Sequence, residues 1–387
     1  MTCKKDSSVY EVVLEQLLHE GSEGFQSVLE TLLNEAMKLE RSRHIQAGPY
    51  ERRASRQDYR NGFKDKVLST SVGKLSLKVP QVRQSDFYPS CLEKGSQTDR
   101  ALLLALAEMY VQGTSTRKVG KIVEQLCGFS VNSSDVSRAM QKLDSELSQW
   151  RERKLGLIKY LYLDARYEKV RHGGTVVDCA VLIACGVDAQ GKRQLLGVSV
   201  SLSEHECHWR HFLESLVARG MFGMELIISD AHAGLKAAKK AVFPSIKWQR
   251  CQFHLQQNAQ AYVPKQAMKR EVAAKIKAIF NAENRHEAER LTQMGIDHYA
   301  TKAPRLSTWL DDNLREGLTI FDFPEHHRRK LRTTNMLERV NREIKRRTRV
   351  ATLFPNEAAC CRLVSAILIE ISEEWETGRT YMNFDNA

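Results

Sequence analysis

Proline and glycine are scarce, 8 and 21 in 387 residues, which excludes a fibrous or low-complexity chain. No uninterrupted apolar run approaches the roughly 18 residues that a membrane helix needs. The longest, Ala101 to Ala107 and Cys179 to Cys185, are far shorter, so no membrane partner is expected. The nine cysteines, from Cys3 to Cys361, include no Cys-x-x-Cys pair and no even framework. That pattern speaks against a structural zinc cluster and fits the reduced thiols of a cytoplasmic protein. Glu15 and Glu20 interrupt the N-terminal apolar residues, and no small-residue cleavage site follows an apolar block, so no export is expected.

What the chain has in quantity is positive charge. Lys and Arg number 59 against 47 Asp and Glu, a net charge of +12, in a chain that is 42% hydrophobic. This is a folded protein long enough for two or three domains, with a surplus that points to a polyanion, nucleic acid being the commonest. The surplus is local. Arg328 to Arg349 holds ten cations (Arg328, Arg329, Lys330, Arg332, Arg339, Arg342, Lys345, Arg346, Arg347 and Arg349) and two acids, Glu338 and Glu343. An excess of this density repels itself unless a polyanion lies against it, and arginine suits bidentate phosphate contact; a solvated helix face is the plainer alternative.

Apolar spacing predicts two amphipathic helices over Val9 to Leu18 and Phe25 to Met37. A polar stretch ending in Tyr59-Arg60-Asn61-Gly62-Phe63 reads as a loop before a short strand, Gly73 to Pro80. Ser115 to Leu126 and Ser134 to Leu147 flank a turn at Cys127 to Val131, which is helix-turn-helix spacing. Thr114, and Asn132 or Ser133, are the expected caps, and Ser133, Ser134, Arg138 and Lys142 project from the start of the second helix, where DNA contact competes with an ordinary helical pair. Strands follow at Leu157 to Leu163, Val176 to Val187 and Arg193 to Ser201. Ser203 and Glu206 have capping-box spacing before a helix carrying Trp209 and Phe212; a fourth strand spans Glu225 to Ser229, a helix Gly234 to Phe243, a fifth strand Ile246 to Arg250, and another helix begins near Cys251. The order β-β-β-α-β-α-β-α is that of a ribonuclease H-like fold. Three helical stretches between Lys265 and Leu314 then read as an all-α insertion.

The expected fold is an α/β core with a five-stranded mixed sheet and an all-α insertion, after mainly helical DNA-binding regions. The divisions are 1–98 (helical and short-strand, DNA-end binding), 99–153 (helix-turn-helix-like), 154–258 (first part of the core), 259–323 (insertion) and 324–387 (C-terminal core helices).

In that topology the first and fourth strands of the core lie side by side and parallel. Asp164 and Asp230, at their ends, would converge. Hard divalent cations such as Mg²⁺ take carboxylate oxygens, and a pair of them activates water against a phosphodiester. Glu338, opening a helix past the insertion, is the candidate third acid. Each residue has a plainer reading: a strand-ending Asp is a turn residue, and Glu338 has capping-box spacing from Asn335 and can pair with Arg342. Cys251 and His254 lie one helical turn apart, where they could bind a metal, contact DNA, or form a buried thiol beside a satisfied histidine. His205, Cys207, His208 and His211 spread over nearly half a helix circumference, against a metal site.

Together these residues resemble the Mutator-type transposases of bacterial insertion sequences. The matching motifs are Tyr59 to Phe63, Met109-Tyr110 with Gly113 to Arg117, Leu163-Asp164-Ala165, Ser203-Glu204 with Trp209, Arg219-Gly220, Ile228 to Ala231, Gln249-Arg250-Cys251 with His254, and Thr333-Thr334-Asn335 with Glu338, Asn341 and Arg346-Arg347, spanning about residues 25 to 370. Pro80-Gln81-Val82-Arg83 departs from the family's Pro-Arg-x-Arg, losing one phosphate contact.

The resemblance implies a DDE transposase whose Asp164, Asp230 and Glu338 bind two Mg²⁺ ions, with Mn²⁺ able to substitute. Cys251 and His254 would form the family's Cys-x-x-His signature. Hydrolysis at an element end would free a 3′-hydroxyl that the same site joins to a second phosphodiester. Terminal inverted repeats and target DNA are the implied partners, contacted through Arg60, Arg117, Ser134, Arg138, Lys142, Arg328, Arg329, Arg332, Arg342, Lys345, Arg346 and Arg347. Two element ends imply a homodimer or higher homo-oligomer. The rival readings are a ribonuclease H-like nuclease or resolvase without strand transfer, and a regulator that binds DNA and cuts nothing.

Overall fold

A computed structural model describes residues 9–349 and 352–384; Cys3 lies outside the described residues. The chain forms two compact units, 1–142 and 143–387.

The first unit opens with helices α1 (Val9–Glu20) and α2 (Phe25–Ile45), followed by an antiparallel hairpin of β1 (Arg60–Thr70) and β2 (Gly73–Val82). Leu75, Leu77 and Val79 alternate inward from β2 and pack with Met37 of α2 and Leu92. The Glu30 and Asn34 side chains of α2 accept the Ser76 and Lys78 backbone N–H groups at 3.0 and 2.8 Å. Strand β1 includes residues 60–63, expected to be loop. Its own pattern is polar, and the ladder to β2 supplies the order.

Helices α3 (Arg100–Val111), α4 (Thr116–Cys127) and α5 (Ser133–Lys142) share a core of Leu102, Leu106, Val119, Val123, Val136 and Ala139. Ser115 rather than Thr114 caps α4. Asn132 and Asp135 cap α5 reciprocally, side chain to backbone N–H, both at 3.0 Å. A Cβ at Gly120 would sit 2.5 Å from the Val131 carbonyl oxygen, so glycine lets the turn close onto α4. Helix α5 ends at Lys142, short of the expected Leu147.

The second unit begins at α6 (Asp144–Glu152), earlier than the boundary expected after 153. Arg362 binds Asp144 at 2.6 Å and Arg151 donates to Ser365 at 3.1 Å, which fastens α6 to the C-terminal helix. Its sheet comprises β3 (Ile158–His172), β4 (Thr175–Asp188), β5 (Arg193–Ser201), β6 (Leu226–Ser229) and β7 (Lys247–Arg250), in the order β5-β4-β3-β6-β7. The first three strands are antiparallel neighbours, while β6 runs parallel to β3 and β7 parallel to β6. Helices cover both faces, so β4 is buried continuously from Cys179.

One face packs on α7 (Glu206–Ala218) and α8 (Ala233–Val242) through Trp209, Phe212, Leu213, Leu216, Leu235 and Ala238. The expected capping box at Ser203 is absent, since α7 starts at Glu206 after His205 and has no side-chain cap. Gly234 is required where α8 starts, because a Cβ there would lie 2.2 Å from the Glu204 carbonyl oxygen.

After β7 the chain is helical, with α9 (Gln252–Ala259), α10 (Lys269–Phe280), α11 (Arg285–Lys302), α12 (Pro304–Asn313), α13 (Glu325–Leu331), α14 (Asn335–Thr348) and α15 (Glu357–Thr377). Helices α13 and α14 meet the other sheet face. There Tyr160 Oη bonds His327 Nδ1 at 2.9 Å, Tyr162 Oη donates to the Lys330 carbonyl at 3.1 Å, and Cys185 meets Met336. No described helix is long and apolar enough to cross a membrane, and the eight described cysteines are free.

Candidate active site

The first strand of the core does not stop at Asp164, as its sequence suggests. It runs on to His172 paired with β4, whereas its pairing with β6 covers Tyr160↔Leu226 to Tyr162↔Ile228 only. Extending that register two residues sets Asp164 opposite Asp230, on the face that Tyr160 and Tyr162 present to α13 and α14. Adjacent strands lie about 4.8 Å apart, so the two carboxylates share one edge. The next strand continues the series. Ser229 pairs with Arg250, and the Cys251 N–H donates to the Ser229 carbonyl at 2.7 Å, which brings Cys251 beside Asp230.

The extended β3 holds α14. Arg166 donates to the Asn341 carbonyl, and Thr348 donates to Glu168 at 2.9 Å. The Asn341 amide donates to Asp164 Oδ2 at 2.8 Å. The N-terminal end of α14 is fixed from another side, since the Gln252 N–H donates to the Arg332 carbonyl at 2.8 Å and Thr334 Oγ1 donates to Cys251 Sγ at 3.5 Å. Glu338, three residues before Asn341 and on the same helix face, therefore reaches His254, 4.0 Å from its Nε2. It caps nothing: the N-cap is Thr334, without a side-chain bond, and no Glu338–Arg342 pair forms among the described residues. Cys251, His254 and Glu338 are the one group of potential metal ligands among the described residues, with ligand atoms within 4.8 Å of one another. The histidines and cysteine of α7 do not gather into such a group.

The electrostatics follow from burial and crowding. Asp164 is only 8% exposed. Burial, then the Asp230 charge, and more weakly Glu338, push its carboxyl up to about 7, against the Ala165 N–H and His254. His254 is raised to about 9, first by Cys251 and, against desolvation, by Asp164 and Asp230. Burial works to raise the Cys251 thiol, but His254 and Thr334 outweigh it and bring it below its usual value. Glu338 Oε1, His254 Nδ1 and Asn341 Oδ1 are buried with no hydrogen-bond partner. Crowded carboxylates and an orphaned carboxylate oxygen are what a hard divalent cation satisfies, so these residues fit one.

Sequence reasoning passed over Asn341 as a site residue, although its i+3 spacing from Glu338 was the available signal. If Asp164 holds a divalent cation, Asn341→Ala is expected to lower its affinity roughly 10- to 100-fold, because it frees Asp164 to rotate; titration with added Mg²⁺ or Mn²⁺ reads the loss.

The basic residues divide. Arg329, Arg342, Lys345 and Arg346 are exposed, Arg346 bonding Glu343 at 2.6 Å. Arg328 donates to the Phe323 and Glu283 carbonyls, and Arg332 to Phe280 and Asn281, so both brace the C-terminal end of α10. Arg347, expected on DNA, is buried, its guanidinium held by Glu343 and Glu370. In the first unit, Arg117 and Ser134 are exposed, as are Arg138, paired with Asp135 at 2.7 Å, and Lys142, paired with Glu93 at 3.3 Å; Arg60 is half-buried.

The family model for transposases of the Mutator family matches residues 1–378. The transposase of insertion sequence element IS406 from Burkholderia multivorans is 55% identical over 387 residues, all of both chains. That of ISRM5 from Rhizobium meliloti is 38% identical over 384 residues, 99% of this chain and 96% of the relative. That of IS256 in transposon Tn4001 from Staphylococcus aureus is 38% identical over 364 residues, 93% of each. Matched over residues 1–378 by the family model and over its whole length by a relative, the chain belongs to the Mutator family of transposases.

Proposed function

We propose that the protein is a DDE transposase with a ribonuclease H-like core, which binds the terminal inverted repeats of an insertion sequence, cleaves there and joins the freed 3′-hydroxyl to target DNA. The observation that carries this reading is that Asp164 and Asp230 meet where the parallel pairing of β3 with β6 stops, that the charges of Asp230 and Glu338 both act on the Asp164 carboxyl, and that Asn341 on the helix of Glu338 bonds Asp164. The sheet order, with two parallel strands added to an antiparallel meander, supports the fold assignment.

Asp164, Asp230 and Glu338 would hold two Mg²⁺ ions, or Mn²⁺ in their place. When bound, the ions supply Lewis acidity at the attacking and leaving oxygens of a phosphodiester. Asn341 orients Asp164, and His254 keeps its proton at neutral pH, setting a positive charge beside the carboxylates. Arg329, Arg342, Lys345 and Arg346 neutralise backbone phosphates near this edge, and Ser134 and Arg138 on α5 contact the repeat. Handling two element ends requires at least a homodimer.

The test is a labelled duplex carrying the element end, incubated with the protein and Mg²⁺. Cleavage together with a joined product is expected. Cleavage without joining would replace this reading with a nuclease or resolvase, and binding without either product would replace it with a regulator.

A further inference from the structure

We propose that the groove beneath Tyr59–Phe63 in the first unit binds an unpaired nucleotide strand, its phosphate on buried and half-buried arginines and its bases on exposed aromatic rings. The inference rests on the reading that the protein handles DNA ends, and adds a site separate from the acids and from α5.

The groove encloses about 1,040 Å³, large for a single small ligand. Its floor carries guanidiniums with no carboxylate to neutralise them. Arg41 is 3% exposed and donates to the Gly62 carbonyl at 3.0 Å. Arg60 donates to Ser42 Oγ at 3.1 Å, and Arg56 to the Asp58 carbonyl at 3.0 Å. The Nε atoms of Arg41 and Arg60 are buried without any partner. The one acid lining the groove, Glu35, is paired with Lys38 at 2.5 Å. Buried like charges without a counter-charge are costly, and phosphate offers the bidentate oxygens that guanidinium matches.

Above this floor stand three rings. Tyr50 is fully exposed, Tyr59 51% and Phe63 47% exposed. Two are backed by cations, with Arg41 4.6 Å from the Phe63 centroid and Arg56 4.7 Å from that of Tyr59. Tyr50 and Gln46 are the two non-glycine residues with positive φ among the described residues, at 59° and 58°. Such backbone persists where the surroundings impose it, often at ligand-holding sites. The segment carrying Tyr59 is pinned by Asp58, a 1% exposed carboxylate that accepts the Gln84 and Ser85 N–H groups at 3.1 and 2.8 Å. In a duplex the base faces are already stacked, so exposed rings beside phosphate-binding cations match unpaired bases.

The test is fluorescence anisotropy of the full chain with a labelled oligothymidylate and, separately, a mixed-sequence duplex. Tyr50→Ala and Tyr59→Ala are each expected to weaken oligothymidylate binding roughly tenfold, with duplex binding little changed and Tyr59→Phe close to wild type. Tyr50 is fully exposed, so Tyr50→Ala reports even if Tyr59→Ala unfolds. Unchanged oligothymidylate affinity in both alanine variants would overturn the inference, as would an equal loss on the duplex. Those results leave the transposase reading standing if the wild type still cleaves an element end. A wild type that binds neither DNA overturns both.

Discussion

Asp230→Ala is expected to lower strand cleavage and strand joining alike by at least ~1,000-fold, about 4 kcal/mol of transition-state stabilisation, with duplex affinity unchanged. The carboxylate is half-buried just past the end of β6, where the parallel pairing with β3 stops, and receives the His232 N–H at 3.2 Å. On the proposed reading, this variant loses a cation ligand and keeps the residues proposed to contact phosphate.

A second readout needs no DNA. A cation among Asp164, Asp230 and Glu338 relieves their repulsion, so Mg²⁺ at about 100 times its dissociation constant should stabilise the second unit by ~2.7 kcal/mol, roughly 5–10 °C in melting temperature. Asp230→Ala should abolish that rise, and chelation should remove it from the wild type. Equal cleavage by the variant, or an undiminished Mg²⁺ shift, would refute the assignment of this acid.

Arg347→Ala is expected to destabilise the second unit by ~2 kcal/mol, read from denaturant unfolding, because it removes the charged hydrogen bonds that tie Glu343 to Glu370 across two helices. The Arg347 side chain is 6% exposed, bonded to Glu343 at 2.7 Å and to Glu370, joining α14 to α15. Arg342→Ala, on the exposed face of the same helix, should leave stability unchanged and reduce the slope of log affinity against log salt by ~1.

The pair also sets an acid limit. Glu343 is held at about 2 by Arg346 first and, against burial, by Arg347, below its ordinary 4.5. A carboxyl depressed in the folded state contributes fully above its unfolded value. That contribution is lost as pH falls from about 4.5 toward about 2. Arg347→Ala should reduce the fall across that window without abolishing it, because Arg346 still holds Glu343. An altered salt slope with unchanged stability would return Arg347 to the DNA surface.

Much of the site was legible because strand ends and helix starts leave strong local marks. Asp164 follows Tyr160 to Leu163 and Asp230 follows Leu226 to Ser229, apolar runs that are buried in the sheet. Glu338 stands out through its position in a cationic helix. The continuation of β3 was not legible: Arg166, Glu168 and Lys169 lie beyond the expected strand, Leu157 to Leu163, and are strand because β4 pairs with them while Arg166 and Glu168 hold α14. The same holds for β1, where Arg60 to Lys66 owe their extended backbone to β2. Charge counting likewise placed Arg347 with Arg346, although neighbours on a helix face directions about 100° apart and only one meets α15.

The sequence by itself determined the family and the alternation of strands and helices, and it marked Asp164, Asp230 and Glu338 as the candidate acids. Those follow from residue type and spacing, which act over a few residues. Only the tertiary structure decided that Asn341 orients Asp164, that Glu338 meets His254 rather than Arg342, and that Arg328, Arg332 and Arg347 brace the protein. These contacts join residues far apart in the chain, and no local periodicity encodes which partner a long side chain finds once the sheet and its helices have packed.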